Sequence, residues 1–156
     1  MSLYLTVKLI HVVSSTILFG TGLGSAFYMW RTHRSGNISA IANVSRNVVL
    51  ADWLFTTPAI LIQPATGLWL ATQAQWTLDQ AWISTSIGLY LVAVACWLPV
   101  VWIQMRVRDL AADTVIRDEQ LSPKYFKLMR IWFLLGWPAF ASVAVIFYLM
   151  VAKPAA

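Results

Sequence analysis

The chain has 156 residues, enough for one domain. Hydrophobic residues make up 60% of it and charged residues 11%, against roughly 45–50% and about 25% in an ordinary soluble domain, so it carries more apolar surface than a globule of this size can hide. The formal charge of +5 lies in short segments between apolar runs, which points to membrane topology rather than nucleic acid, and the lone Cys96 excludes an intrachain disulfide and a cysteine metal cluster.

Four runs reach the length of about 20 apolar residues that spans the hydrocarbon of a bilayer. The first covers residues 3–30 and carries only Lys8 ahead of its centre. It is too long, and its start too little basic, for a cleaved signal, and reads as a retained helix. The others are residues 48–72, 81–105 and 131–152. None shows the alternation of a barrel strand, so all four are expected to be helices with their backbone amides satisfied internally. The expected fold class is all-α, a four-transmembrane-helix bundle in a single integral membrane domain over residues 1–156.

The connections set the topology. Arg31, Arg34 and Arg46 lie between the first and second runs, and Arg106, Arg108, Arg117, Lys124, Lys127 and Arg130 between the third and fourth. The segment 73–80 between the second and third has no basic residue and one acid, Asp79. Nine of the eleven Lys and Arg residues therefore share one side, and the positive-inside rule puts the loops 31–47 and 106–130 in the cytoplasm. Both termini are then periplasmic, in a multi-pass protein of the bacterial inner membrane. Ser122-Pro123 reads as an N-cap with proline at the first helical position. Gly36-Asn37 reads as a turn. From Ser39 onward an apolar face persists, so the second helix is expected to project below the membrane. The sequon matches at Asn37 and Asn43 fall on the cytoplasmic side and are chance.

Among candidates for chemistry, His11 stands about two turns into the first helix. With Lys8, Ser15, Leu18, Gly22 and Ser25 it defines a face of mostly polar or small residues, expected to turn toward the other helices. An ionisable residue within a span is a functional candidate, and neutral imidazole ligates haem iron and many metals. The bland alternative is a histidine hydrogen-bonded across helices or wetted at the interface. His33 lies 22 residues on, roughly 33 Å along a helix at about 1.5 Å per residue, so the two cannot grip one haem. His33 reads as part of a solvated basic loop between Arg31 and Arg34. Lys8 either reaches to the headgroups or assists beside His11. Gly20 and Gly24 form a Gly-xxx-Gly pair suited to close helix contact within the bundle or between protomers, or to a flat porphyrin against the backbone. Pro58, Pro64 and Gly67 interrupt the second helix and leave carbonyls that need local partners. Gln63 falls near mid-depth, and Asp52 near the inner end is expected to pair with Arg46 or another loop cation. The methionines show no thioether pair at helical spacing, which leaves a copper pathway without support.

The stretch Leu5-Thr6-Val7-Lys8-Leu9-Ile10-His11-Val12-Val13-Ser14-Ser15, with Gly20, Gly22, Trp53, Thr57-Pro58 and Gly67-Leu68-Trp69-Leu70, resembles a bacterial family of small predicted inner-membrane proteins, a domain of unknown function, over most of the chain. More distantly, the first helix is similar to protoporphyrinogen oxidases of the HemJ type and to CopD-type copper-resistance membrane proteins. In the HemJ type a histidine early in the first helix is thought to hold haem b, which the resemblance would carry over to His11. That family also has a lysine after a tryptophan near the start of its third helix. Here Trp82-Ile83-Ser84-Thr85-Ser86 has serine there, so the resemblance implies haem binding without implying the oxidase reaction. The expectation is a b-type haem protein in electron transfer or a linked oxidation, with His11 as metal ligand and Lys8, Ser15 and Gly22 lining the cofactor. A homodimer or larger complex would form through Gly20 and Gly24. The alternatives are a non-catalytic assembly subunit and a small transporter or metal carrier.

Overall fold

With no water in the hydrocarbon to satisfy its amides, an apolar run must close its hydrogen bonds within itself. The computed structural model describes residues 2–154, and each of the four runs lies in a helix. Helix α1 spans Leu3–Ser35. Helix α2, Ile38–Ala51, continues through a π-helical turn, Asp52–Thr56, into α3, Thr57–Gln73. Helix α4 spans Ala81–Arg117 and α5 spans Pro123–Ala152. Counting α2 to α3 as one rod, four rods are long and apolar enough to cross a membrane, and the described residues contain no strand.

The rods outrun the apolar segments at one end. Helical starts near Ser39 and at Pro123 match the expectation, whereas α1 also continues to Ser35 and α4 to Arg117, the latter with apolar Val107, Leu110 and Ala111 at helical spacing. The ends are set by local chemistry. Gly36 closes α1 at φ +66°, a left-handed conformation that costs glycine little. The Asn37 side chain then caps α2 by accepting the Ala40 N–H at 3.0 Å. Ser122 caps α5 in the same way, accepting the Tyr125 N–H at 3.4 Å, and Pro123 occupies the first turn.

Pro58 accounts for the π turn. It has no N–H, and its ring would press on the Leu54 carbonyl of a regular helix, so the rod widens just before it. The Thr57 N–H reaches back five residues to the Asp52 carbonyl, which also accepts the Thr57 hydroxyl at 2.9 Å. Pro64 leaves the Ile60 carbonyl without its helical donor, and the Tyr90 hydroxyl of α4 supplies one at 2.5 Å.

Packing is uneven along the bundle. The hydrophobic core, which includes Met29, Ile41, Val48, Val107, Ala111 and Met129, gathers at the basic end, where α2, α4 and α5 run side by side. Toward the opposite end α1 lies on α3 and α4 lies along α5. There α1 meets α5 through Phe19, whose ring stands edge-on to Phe140 at 5.9 Å and Phe147 at 5.5 Å. At that same end the Lys153 ammonium lies over the rings of Trp76, at 5.7 Å, and Trp82, at 6.0 Å, which ties the end of α5 to the turn between α3 and α4.

Candidate functional site

His11 is held between α1 and α3. Its Nδ1 lies 2.8 Å from the Thr66 hydroxyl, whose own proton goes to the Ile62 carbonyl at 2.6 Å. With the Thr66 proton on that carbonyl, Nδ1 donates to the hydroxyl and a neutral ring keeps its lone pair on Nε2. Gly67 makes room for the ring: a Cβ there would stand 3.2 Å from His11 Cε1. One turn along, the Gln63 amide donates to the His11 carbonyl at 2.7 Å and also to the Ser14 hydroxyl. Ser14 in turn donates to that carbonyl at 3.1 Å. Gln63, Thr66 and Gly67 thus form a polar clamp on α1, of the kind that small and hydrogen-bonding residues build between helices in lipid.

The contacts seen at the His11 ring come from α3, while Lys8 and Ser15 lie one turn away on its own helix. Lys8 is exposed. Ser15 gives its hydroxyl to the Val12 carbonyl of its own helix at 2.7 Å. Gly22 faces the far side, where a Cβ would meet the Phe140 ring at 3.3 Å. At Gly20 and Gly24 a Cβ would meet nothing within 4 Å, so neither is a close contact inside this chain. The face read from the spacing thus divides: His11 turns to α3, joined there by Ser14 from outside that face, whereas Leu18, Gly22 and Ser25 line a crevice toward α5.

Two expectations are corrected. His33 is not a solvated loop residue: its Nδ1 lies 3.1 Å from the Tyr125 hydroxyl, and Phe126 and Phe133 flank its ring at 6.0 and 6.3 Å. The helical extension of α1 carries it onto α5. Asp52 does not pair with Arg46 or another cation, and among the described residues the single ion pair is Arg108–Asp109 at 2.7 Å. The π turn rotates Asp52 inward, where it is 4% exposed.

The crevice that receives Asp52 has a volume of about 560 Å³ and lies between α1, the π turn, α4 and α5. Its walls are almost wholly apolar and include no Lys, Arg or His. Toward the basic end it carries a polar cluster. Thr56 donates to Asp52 Oδ1 at 2.8 Å, and Gln104, 3% exposed, lies beside the same carboxyl. Four buried polar atoms around the crevice have no hydrogen-bond partner: Asp52 Oδ2, Gln104 Oε1, Trp97 Nε1 and Trp132 Nε1. Such atoms are rare in folded proteins because each costs about 1–3 kcal/mol. Four around one cavity make it the candidate site of this protein. This site was missed in the sequence, where its residues are scattered over three helices. The available signal was the presence of Asp52 and Gln104 inside otherwise apolar runs.

Four apolar rods enclosing a largely apolar crevice define a multi-pass integral membrane protein. The chain belongs to the family described as predicted integral membrane protein (DUF2269), whose model matches residues 5–154. No curated protein and no solved structure matches it.

Proposed function

We propose that this membrane protein binds a lipid-soluble small molecule in the crevice between α1, the π turn, α4 and α5. One observation carries the reading: four unpartnered buried polar atoms border a single apolar cavity of about 560 Å³. Ligand pockets commonly have about 300–1,000 Å³, apolar walls and a few fixed polar groups. Gly136 lines the crevice, and a Cβ there would meet nothing within 4 Å, so Gly136→Leu is the substitution with which to fill the space. The test is solvent extraction of detergent-purified protein followed by mass spectrometry. Wild type is expected to release a stoichiometric small molecule that the folded Gly136→Leu variant lacks. Equal content in both sinks the reading.

A second reading, b-type haem held by His11 for electron transfer or a linked oxidation, rests on the bare Nε2 that the Thr66 contact leaves. The donor suits haem iron. The room beside it does not: of His11, Lys8, Ser15 and Gly22, Gly22 alone lines the large crevice, and that crevice has no histidine. A porphyrin at His11 would therefore lie outside this cavity, on the lipid-facing or protomer-facing side of α1 and α3. Soret and α bands in purified protein, abolished by His11→Ala, would establish it. Colourless protein from haem-replete cells would remove it.

We also propose that the basic end is cytoplasmic and the membrane is the bacterial inner one, on the charge asymmetry of the connections. Gly20 and Gly24, open within the chain, would serve as a contact with a second copy or a larger complex.

A further inference from the structure

The polar end of the crevice restricts the chemistry of its occupant. Resting on the binding reading above, we infer that the crevice selects a neutral lipid headed by a phenolic hydroxyl, such as an alkylphenol or a hydroquinone. The unpartnered atoms are two acceptors, Asp52 Oδ2 and Gln104 Oε1, and two donors, Trp97 Nε1 and Trp132 Nε1. Asp52, Gln104 and Trp132 are 4%, 3% and 6% exposed, so bulk water does not reach them freely. An ether or ketone oxygen only accepts, and would serve the indole N–H groups while leaving both acceptors bare. An ammonium group only donates, and would do the reverse. A hydroxyl gives one hydrogen bond and takes up to two, so it serves both sets. An anionic head is excluded, since no Lys, Arg or His lines the crevice and Asp52 stands at its polar end.

The walls argue for an aromatic head. Trp97, Trp132, Phe133 and Phe140 surround the space next to and beyond the polar cluster, and aromatic rings pack favourably on one another edge to face or offset. Farther along, Leu18, Val94, Val143 and Ala144 offer only aliphatic surface, which suits an alkyl chain.

The probes are 4-decylphenol, its methyl ether 4-decylanisole, and decylammonium. Binding to the full-length protein in detergent is read by native mass spectrometry and by tryptophan fluorescence, with Gly136→Leu measuring partition outside the crevice. The expected result is that the phenol binds wild type about tenfold or more tighter than the ether, because the ether leaves a buried acceptor unpaired. The ammonium probe is expected to bind more weakly than the phenol. Asp52→Asn should bring the phenol-to-ether ratio close to one. Trp132→Phe should weaken both oxygen-bearing probes alike, since it removes a donor that either can use. Phenol and ether binding equally at a crevice that Gly136→Leu blocks would leave the binding reading intact and overturn the selectivity, as would water alone satisfying the polar end. Tighter binding of the ammonium probe would also overturn it. No difference between wild type and Gly136→Leu for any probe would overturn both.

Discussion

Asp52→Asn is expected to stabilise the protein while impairing its site. In the native chain Asp52 Oδ1 accepts the Thr56 hydroxyl, but Oδ2 and the neighbouring Gln104 Oε1 are both acceptors without a donor. Asparagine keeps the first contact and removes the charge from a buried oxygen that has no donor of its own. A buried polar group without a partner costs about 1–3 kcal/mol. The substitution should therefore add about 1–3 kcal/mol to the unfolding free energy. The assay is a reversible SDS titration in mixed micelles, followed by tryptophan fluorescence. Asp109→Asn is the control, because its ion pair with Arg108 is solvent-exposed and worth less than about 1 kcal/mol. An Asp52→Asn protein no more stable than wild type would refute the claim that Oδ2 stands without a donor.

Gln63→Leu removes two hydrogen bonds from the α1–α3 clamp and Thr66→Val removes the one to His11 Nδ1. The same titration should show losses of about 1 kcal/mol and about 0.6 kcal/mol, and unchanged midpoints would mean that the clamp does not hold α1. Gly24→Leu, introduced where a Cβ meets nothing within 4 Å, should leave unfolding unchanged but shift sedimentation in detergent from dimer to monomer; a persisting dimer rules out that face. With Cys96 replaced by serine, a cysteine at Glu119 should react with a membrane-impermeant maleimide only from the cytoplasmic side, and one at Lys153 only from the other. Labelling of both from one side would refute an odd number of crossings between them.

The number of helices and their common basic end were legible in the sequence, because span length and loop charge are local properties that the bilayer imposes directly. The site was legible only in fragments. His11 stood out as an ionisable residue, yet its partners Gln63 and Thr66 lie more than fifty positions away, and nothing in the spacing of α1 names them. Asp52 stands out too, and Pro58 signals an interruption beyond it, but a proline does not announce a π turn in the residues before it. The π turn shifts the direction of Asp52, so a residue expected among surface arginines faces Gln104 instead. Trp97 and Trp132 merged with the seven other tryptophans, which favour bilayer interfaces whether or not they line a cavity. In lipid, apolar periodicity does not distinguish the face that packs from the face that meets acyl chains, so the position of the core could not be read from it.

The concentration of the core at the basic end has a mechanical consequence. Where Met29, Ile41, Val107 and Met129 interlock, separating the rods would break a dense set of contacts. Near the other end, parting α1 from α5 mainly unstacks Phe19 from two rings. The rods are held most firmly at the basic end, and amide exchange in α1 should quicken from there toward its N-terminus. A guest dissolved in the acyl chains would then enter sideways between α1 and α5, with its head sinking toward the basic end and its tail trailing into the lipid it came from.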